Sequence, residues 1–277
     1  MDKYTANREF MKSGICDIDI IATADIAKGV PQPPVEKPYP EGSKKITLPT
    51  IERDSAPKAD FFACTWNRCS RRQYTDEPLS LFELAFLLWC TQGVKKVIGG
   101  YRRYIRDGSG RNMLRPVAVG GCVNAYETYL ALSHVSGVDT GIYRYLPLSH
   151  ELLFLKPERT LKERLVDAFT NPSQDQHYTA NAGAVFFWTC LPYRGEWRYQ
   201  HTAHKLMLMD VGHISQNLYL ATEAIECGCC AIGGYYQNKV DALIDVDGHD
   251  EFAVLCASVG HIEKDKKDVY QHLPDLR

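Results

Sequence analysis

A mixed α+β domain, with helices packed around a buried sheet, is the fold this sequence predicts, and three observations carry that reading. Two apolar runs of strand length, "GAVFFWTC" at 183–190 and "FAVLCASVG" at 252–260, contain no charged residue and read as strands covered on both faces. Between them Met207, Val211, Ile214, Leu218, Ala221 and Ile225 recur at steps of four and three, the buried face of a long helix. Upstream, Ser80 followed three residues later by Glu83 makes a capping box ahead of the apolar run "LFELAFLLWCTQ". The pattern never repeats along the chain, which argues for one domain rather than an array.

Taken in order, residues 1–60 have little periodicity and include "GVPQPPVEKPYPEGSKK", whose five prolines favour extended backbone. They read as an N-terminal arm lying over the body or over a partner subunit, or as a partly disordered leader, ahead of a domain at 61–277. The capped segment from Ser80 to Gly93 is a buried helix with a defined start and stop. Residues 97–114, glycine-rich and basic, read as a loop. "AYETYLAL" at 125–132 is a strand, and "GIYRYLP" and "ELLFLK" flank a turn at Leu148 to His150. Leu161, Leu165 and Phe169 mark a short amphipathic helix within 157–170, and the long helix that follows is expected to stop at Gly228.

With 32 Lys and Arg against 34 Asp and Glu, the net charge of -2 gives no electrostatic reason to expect nucleic acid or an anionic membrane as partner. No apolar stretch approaches the ~20 residues that cross a bilayer. Ten cysteines sit mostly in apolar runs with no signal peptide ahead of them, which suits reduced thiols in a cytoplasm.

Four stretches are able to carry chemistry. "NRCSRRQY" gathers Arg68, Arg71 and Arg72 around Ser70. Guanidinium forks and a hydroxyl suit a phosphate monoester, although such runs are more often solvated charge. "RPVAVGGCVNAYETYLAL" puts Gly120, Gly121, Cys122 and Asn124 before a strand, where missing side chains let backbone approach a flat ligand or simply make a turn. "DVGHISQNLYLA" has Gly212 inside a helical pattern, at a cost of up to ~1 kcal/mol relative to Ala, beside His213, a candidate acid or base that is more often structural. "CGCCAIGGYYQNKVDALI" ends the long helix and opens into Gly233 and Gly234. Cys227 and Cys230 have CxxC spacing, but without a second pair a metal or dithiol site is the minor reading.

In this order the four stretches resemble the nitroreductase-like flavoprotein superfamily, particularly its SagB-type branch, over roughly residues 60–264. "RCSRRQY" is similar to the family's Arg-Arg-Ser-x-Arg-x-aromatic element, "RPVAVGGCVNAYETYL" to its Arg-Pro-x-Pro-Ser-Gly-Gly element, and "DVGHISQNLYLA" to its Asp-Ala-Gly-His-x-x-Gln-Asn-Leu helix. The resemblance implies helices around a central, mainly antiparallel sheet, a long helix at a homodimer interface, and FMN held between subunits. Arg68, Cys69, Ser70 and Arg72 would lie at the flavin phosphate, with Lys264 and Lys267 beside Lys266 as further contacts. Backbone at Gly120, Gly121, Cys122, Asn124, Ile232, Gly233 and Gly234 would line the ring, and no metal is called for.

The sequence departs from the family at Cys69, Ala118 and Val119, and Thr202 and His204 stand where the family has Arg and Tyr, on the expected substrate side. The implied activity is that of an FMN-dependent oxidoreductase passing hydride from NADH or NADPH through flavin N5 to a small organic acceptor, a quinone or nitroaromatic in vitro, with no obligatory catalytic side chain. Dehydrogenation of a peptide azoline, a flavin-poor scaffold subunit, and a metal site at Cys227, Cys229 and Cys230 are the alternatives.

Overall fold

The structure, a computed structural model, describes residues 2–16, 19–99, 110–170 and 177–263. The arm supplies α1 (Thr5–Met11), α2 (Ile20–Thr23) and β1 (Lys45–Thr47). Next come α3 (Phe61–Asn67), α4 (Leu81–Gln92), β2 (Lys96–Gly99), β3 (Arg111–Leu114), β4 (Tyr126–Leu132), β5 (Gly141–Leu146) and β6 (Glu151–Pro157). The rest are α5 (Leu161–Phe169), α6 (Tyr178–Asn181), β7 (Ala184–Cys190), α7 (Pro192–Tyr199), α8 (Ala203–Ala224), β8 (Cys227–Ile232), α9 (Gln237–Ile244) and β9 (Phe252–His261).

Seven strands form one sheet in the order β1-β6-β5-β4-β7-β9-β8, and every neighbouring pair is antiparallel. Both faces are covered, which is why β7 reads as an unbroken apolar run rather than an alternation. Phe186 and Trp188 face the layer of α4 and α8, where Leu84, Leu88, Val211, Ile214 and Leu218 are buried. Val185 and Phe187 face the layer of α5 and α9, with Leu165, Phe169, Val240 and Leu243. Each such side chain contributes roughly 1.5–3 kcal/mol of burial.

The expected α4 is present with its capping box: Ser80 Oγ accepts the Glu83 N–H at 3.1 Å, and Glu83 Oε2 accepts the Ser80 N–H at 2.7 Å. Two sequence expectations need correction. Residues 97–114 are not simply a loop, since β2 and β3 pair in register from Lys96↔Leu114 to Gly99↔Arg111. These strands are short and lie outside the main sheet, so they lack the long apolar alternation that announces a strand.

The long helix does not run to Gly228. It ends at Ala224, and the turn is made by Glu226, held at φ +57°. Gly228 lies inside β8 opposite Gly260, and this pair forms a flat floor for the chain that precedes α4. A Cβ on Gly228 would press on the Arg71 side chain, and one on Gly260 would lie 3.0 Å from the Tyr74 ring. The glycine serves close approach rather than helix termination.

Part of the arm is built into the domain. β1 adds an edge strand beside β6, and Lys37 enters a buried carboxylate cluster under β4 and β7. Its N–H donates to Glu127 Oε1 at 2.8 Å, its Nζ to Glu251 Oε2 at 2.5 Å and to the Tyr129 hydroxyl at 3.1 Å. Arg194 Nη2 donates to the same Glu127 oxygen at 2.6 Å. Among the described residues no helix is long and apolar enough to cross a membrane.

Candidate functional site

The segment after α3 is held along the sheet edge by backbone hydrogen bonds, Arg71 N–H to Cys229 O and Thr75 N–H to His261 O, both 2.9 Å. This separates the three arginines. Arg71 is buried beneath the segment and pairs with Glu223 at 3.4 Å, so it pins the strand and is no ligand candidate. Arg68 lies half-buried with its guanidinium 5.2 Å from the centre of the Tyr219 ring, and Arg72 is exposed, 5.8 Å from the Tyr178 ring. Cys69 and Ser70 between them are half-buried.

Ser70 Oγ is 2.8 Å from the Tyr219 hydroxyl, which accepts the Ala231 N–H at 2.9 Å. Burial raises the Tyr219 hydroxyl above its ordinary pKa and keeps it protonated. Either hydroxyl can donate in the Ser70–Tyr219 contact, and together with the Ala231 N–H it holds Ser70 Oγ against α8. Tyr219 lies 149 residues from Ser70, and no spacing in the sequence links them.

The glycine stretch is fixed to the same helix further up. Gly120 N–H donates to both carboxylate oxygens of Asp210, at 3.0 and 3.2 Å, and His213 Nδ1 lies 3.1 Å from Ala118 O. The Asp210 pKa is pushed up to about 6, first by burial, against the lowering effect of the Gly120 N–H. His213 is therefore a structural partner of the loop, whereas Asp210 went unweighed in the sequence although it sits beside the buried Val211. Nine residues of helix, ~13.5 Å, separate Asp210 from Tyr219, so α8 sets the spacing of the two anchored segments.

Gly120–Cys122 makes a single 3₁₀ turn in which Gly121 has φ +58° and Cys122 φ +59°. Arg198 Nη1 donates to Gly121 O at 2.6 Å, and a Cβ on Gly121 would collide with the Tyr199 hydroxyl. Asn124 turns inward, its Nδ2 donating to Tyr126 O at 2.8 Å, and lines a small cavity with Cys122 and Arg194. At the end of β8 Ile232 is buried and Gly233 exposed, and a Cβ built on Gly233 meets nothing within 4 Å.

The proposed substrate-side residues lie at the α7–α8 corner. Thr202 Oγ1 donates to Tyr199 O at 2.6 Å, and His204 presents Nε2 to Glu196 at 2.7 Å and Nδ1 to His201 O at 3.0 Å. Lys264, Lys266 and Lys267 lie outside the described residues. The CxxC reading fails on geometry: in a strand alternate residues share a face, so Cys227 and Cys229 point one way and Cys230 the other. Cys230 instead lies 3.7 Å from the Tyr178 hydroxyl.

The family model described as "Nitroreductase family" matches residues 66–261. A protein of Methanocaldococcus jannaschii named as a nitroreductase is 26% identical over 193 residues, 70% of this chain and 86% of that protein. Among solved structures, a chain of Anabaena variabilis described as a nitroreductase is similar with a TM-score of 0.60 at 24% identity over 80% of this chain. This chain spans 42% of the length of that Anabaena chain. A chain of the E. coli microcin synthetase McbBCD complex, solved with truncated pro-MccB17 bound, has a TM-score of 0.55 at 18% identity, covering 78% of each.

Proposed function

Because the chain belongs to the nitroreductase family, a family of oxidoreductases, we propose that it is an FMN-dependent enzyme of the SagB-type branch acting between NADH or NADPH and a small organic acceptor such as a quinone or nitroaromatic. The observation that carries this reading is the Ser70 hydroxyl, held by Tyr219, and the Arg68 guanidinium stacked over the same Tyr219 ring. A hydroxyl and a guanidinium with no ion pair among the described residues make a phosphate seat.

The residues present fit a flavin. Arg68, Ser70 and Arg72 would hold its phosphate, and the open space over Gly233 suits a flat ring that a side chain would obstruct. When bound, FMN supplies the hydride acceptor and donor at N5. The chain's own part is to place that ring: Asp210 and His213 fix the Gly120–Gly121 turn, and the backbone at Ile232–Gly234 offers a second wall. Thr202 and His204 would shape the substrate side.

A second copy of the chain is the partner this reading needs, and the exposed apolar residues fit it. Phe61, Phe62 and Trp66 on α3 are 74, 69 and 78% exposed, and Leu208 and Met209 on α8 are each 50% exposed beside Gly212, whose Cβ position is open. Apolar surface of this kind, on both helices, is costly to leave in water.

A second reading, dehydrogenation of a peptide azoline, is favoured by the likeness to the chain in the microcin synthetase complex. The visible spectrum of freshly purified protein, with and without added FMN and then with anaerobic NADH or NADPH, separates the readings. Flavin bands bleached by a nicotinamide support the reductase, and bound flavin that resists bleaching moves the assignment to the azoline dehydrogenase. A colourless protein that takes up no FMN refutes both and leaves a scaffold subunit.

A further inference from the structure

At the far end of the β8–β9 ladder, away from Gly233, Cys227 pairs across the strands with His261. The first turn of α4 brings Glu83 to the same place. A donor atom from each of the three lies within 4.8 Å of the other two. We propose that Glu83, Cys227 and His261 form a binding site for one thiophilic divalent cation of the zinc type, with a fourth position left to solvent.

The donor set matches that ion. Thiolate, imidazole and carboxylate are its usual ligands, and one thiolate with one carboxylate neutralises a charge of +2. Bonds of about 2.3 Å to sulfur and about 2.0–2.1 Å to nitrogen at a tetrahedral angle place those atoms about 3.6 Å apart, and Cys227 Sγ and His261 Nδ1 are 3.7 Å apart. Glu83 Oε2 lies 3.4 Å from the other ring nitrogen, Nε2, so an ion on Nδ1 requires the Glu83 side chain to turn, over the 4.8 Å that bounds the three donors.

Surrounding groups hold the donors in place. Glu83 Oε2 accepts from Ser80 N–H and Ser80 Oγ, at 2.7 and 2.8 Å, and the His261 carbonyl accepts the Thr75 N–H. Such outer contacts orient ligands for a metal. The His261 and Glu83 side chains, 14 and 21% exposed, give an ion a way in. Binding releases the Cys227 thiol proton and ties the start of α4 to the sheet edge.

The test uses the full chain. Zinc content is measured after purification without chelator, and the metal-free protein is titrated with Co²⁺ while the thiolate-to-cobalt charge-transfer band is followed. The expected result is one ion per chain, with the band absent in Cys227→Ser. Glu83→Gln and His261→Ala should each weaken Co²⁺ binding by more than the roughly 10–100-fold that loss of an outer-shell partner costs.

No binding overturns the proposal, as does a band that persists in Cys227→Ser, which would place the metal on other thiols. If Cys227→Ser does not fold, unchanged Co²⁺ affinity in both Glu83→Gln and His261→Ala overturns it. None of these readouts depends on bound flavin.

Discussion

Replacing Arg194 by Met removes one partner of the buried ion pair on which the Lys37 backbone of the arm also docks. The Arg194 and Glu127 side chains are only 6 and 2% exposed and meet at 2.6 Å. Removing one partner of such a pair strands a buried charge and typically costs ~3–5 kcal/mol. Among the described residues Glu127 keeps the Lys37 N–H as a donor at 2.8 Å, which places the expected loss near the lower end, about 3 kcal/mol. For a chain of this size that corresponds to a fall in Tm of roughly 6–12 °C.

Equilibrium urea unfolding, with an unchanged m-value, is the measure of this loss. The double variant Arg194→Met, Glu127→Gln removes both charges and retains an acceptor for Lys37, so it should recover more than half of the stability. A single-variant loss below about 1 kcal/mol, or a double variant no more stable than Arg194→Met, would refute the buried-pair argument.

Three further outcomes are expected. Arg68→Ala should raise the Kd for FMN roughly 10–150-fold, the equivalent of a charge-assisted phosphate contact of ~1.5–3 kcal/mol; fluorescence titration with FMN checks it, and an unchanged Kd removes Arg68 from the phosphate seat. Gly121→Ala should cost about 2–4 kcal/mol, because φ +58° is strained for alanine and the added Cβ meets the Tyr199 hydroxyl and Arg198; thermal melts give the value. Asp210, with its pKa raised to about 6, binds a proton in the folded state that the unfolded chain has released, so it withdraws stability as pH rises from about 4 through about 6. The difference in Tm between Asp210→Asn and the native chain should therefore shift in favour of the variant over that window, and a pH-independent difference would contradict it.

Where local chemistry decides structure, it was readable in the chain. The Ser80–Glu83 capping box, the Gly93 stop and the seam from Met207 to Ala221 depend on neighbours within one or two helical turns and form as their spacing requires, while Ile225, the last member read into the seam, falls just past the helix end. The apolar run at β7 likewise announced a strand buried on both faces, and that at β9 a strand buried over most of its length. The antiparallel pair of β2 and β3 escaped because two four-residue strands carry too little alternation.

Tertiary structure alone decided what each polar residue does. "SRR" is one charged run on paper, yet Arg71 points under the segment to Glu223 while Ser70 meets Tyr219, a residue 149 positions away. The same is true of Gly228, which reads as a helix stop but is the floor beneath Arg71, and of CxxC, whose two cysteines fall on opposite faces of β8. Periodicity records which face of an element is buried. It holds no record of which distant group will be packed against that face, and hydrogen-bond partners and donor clusters are set by that packing.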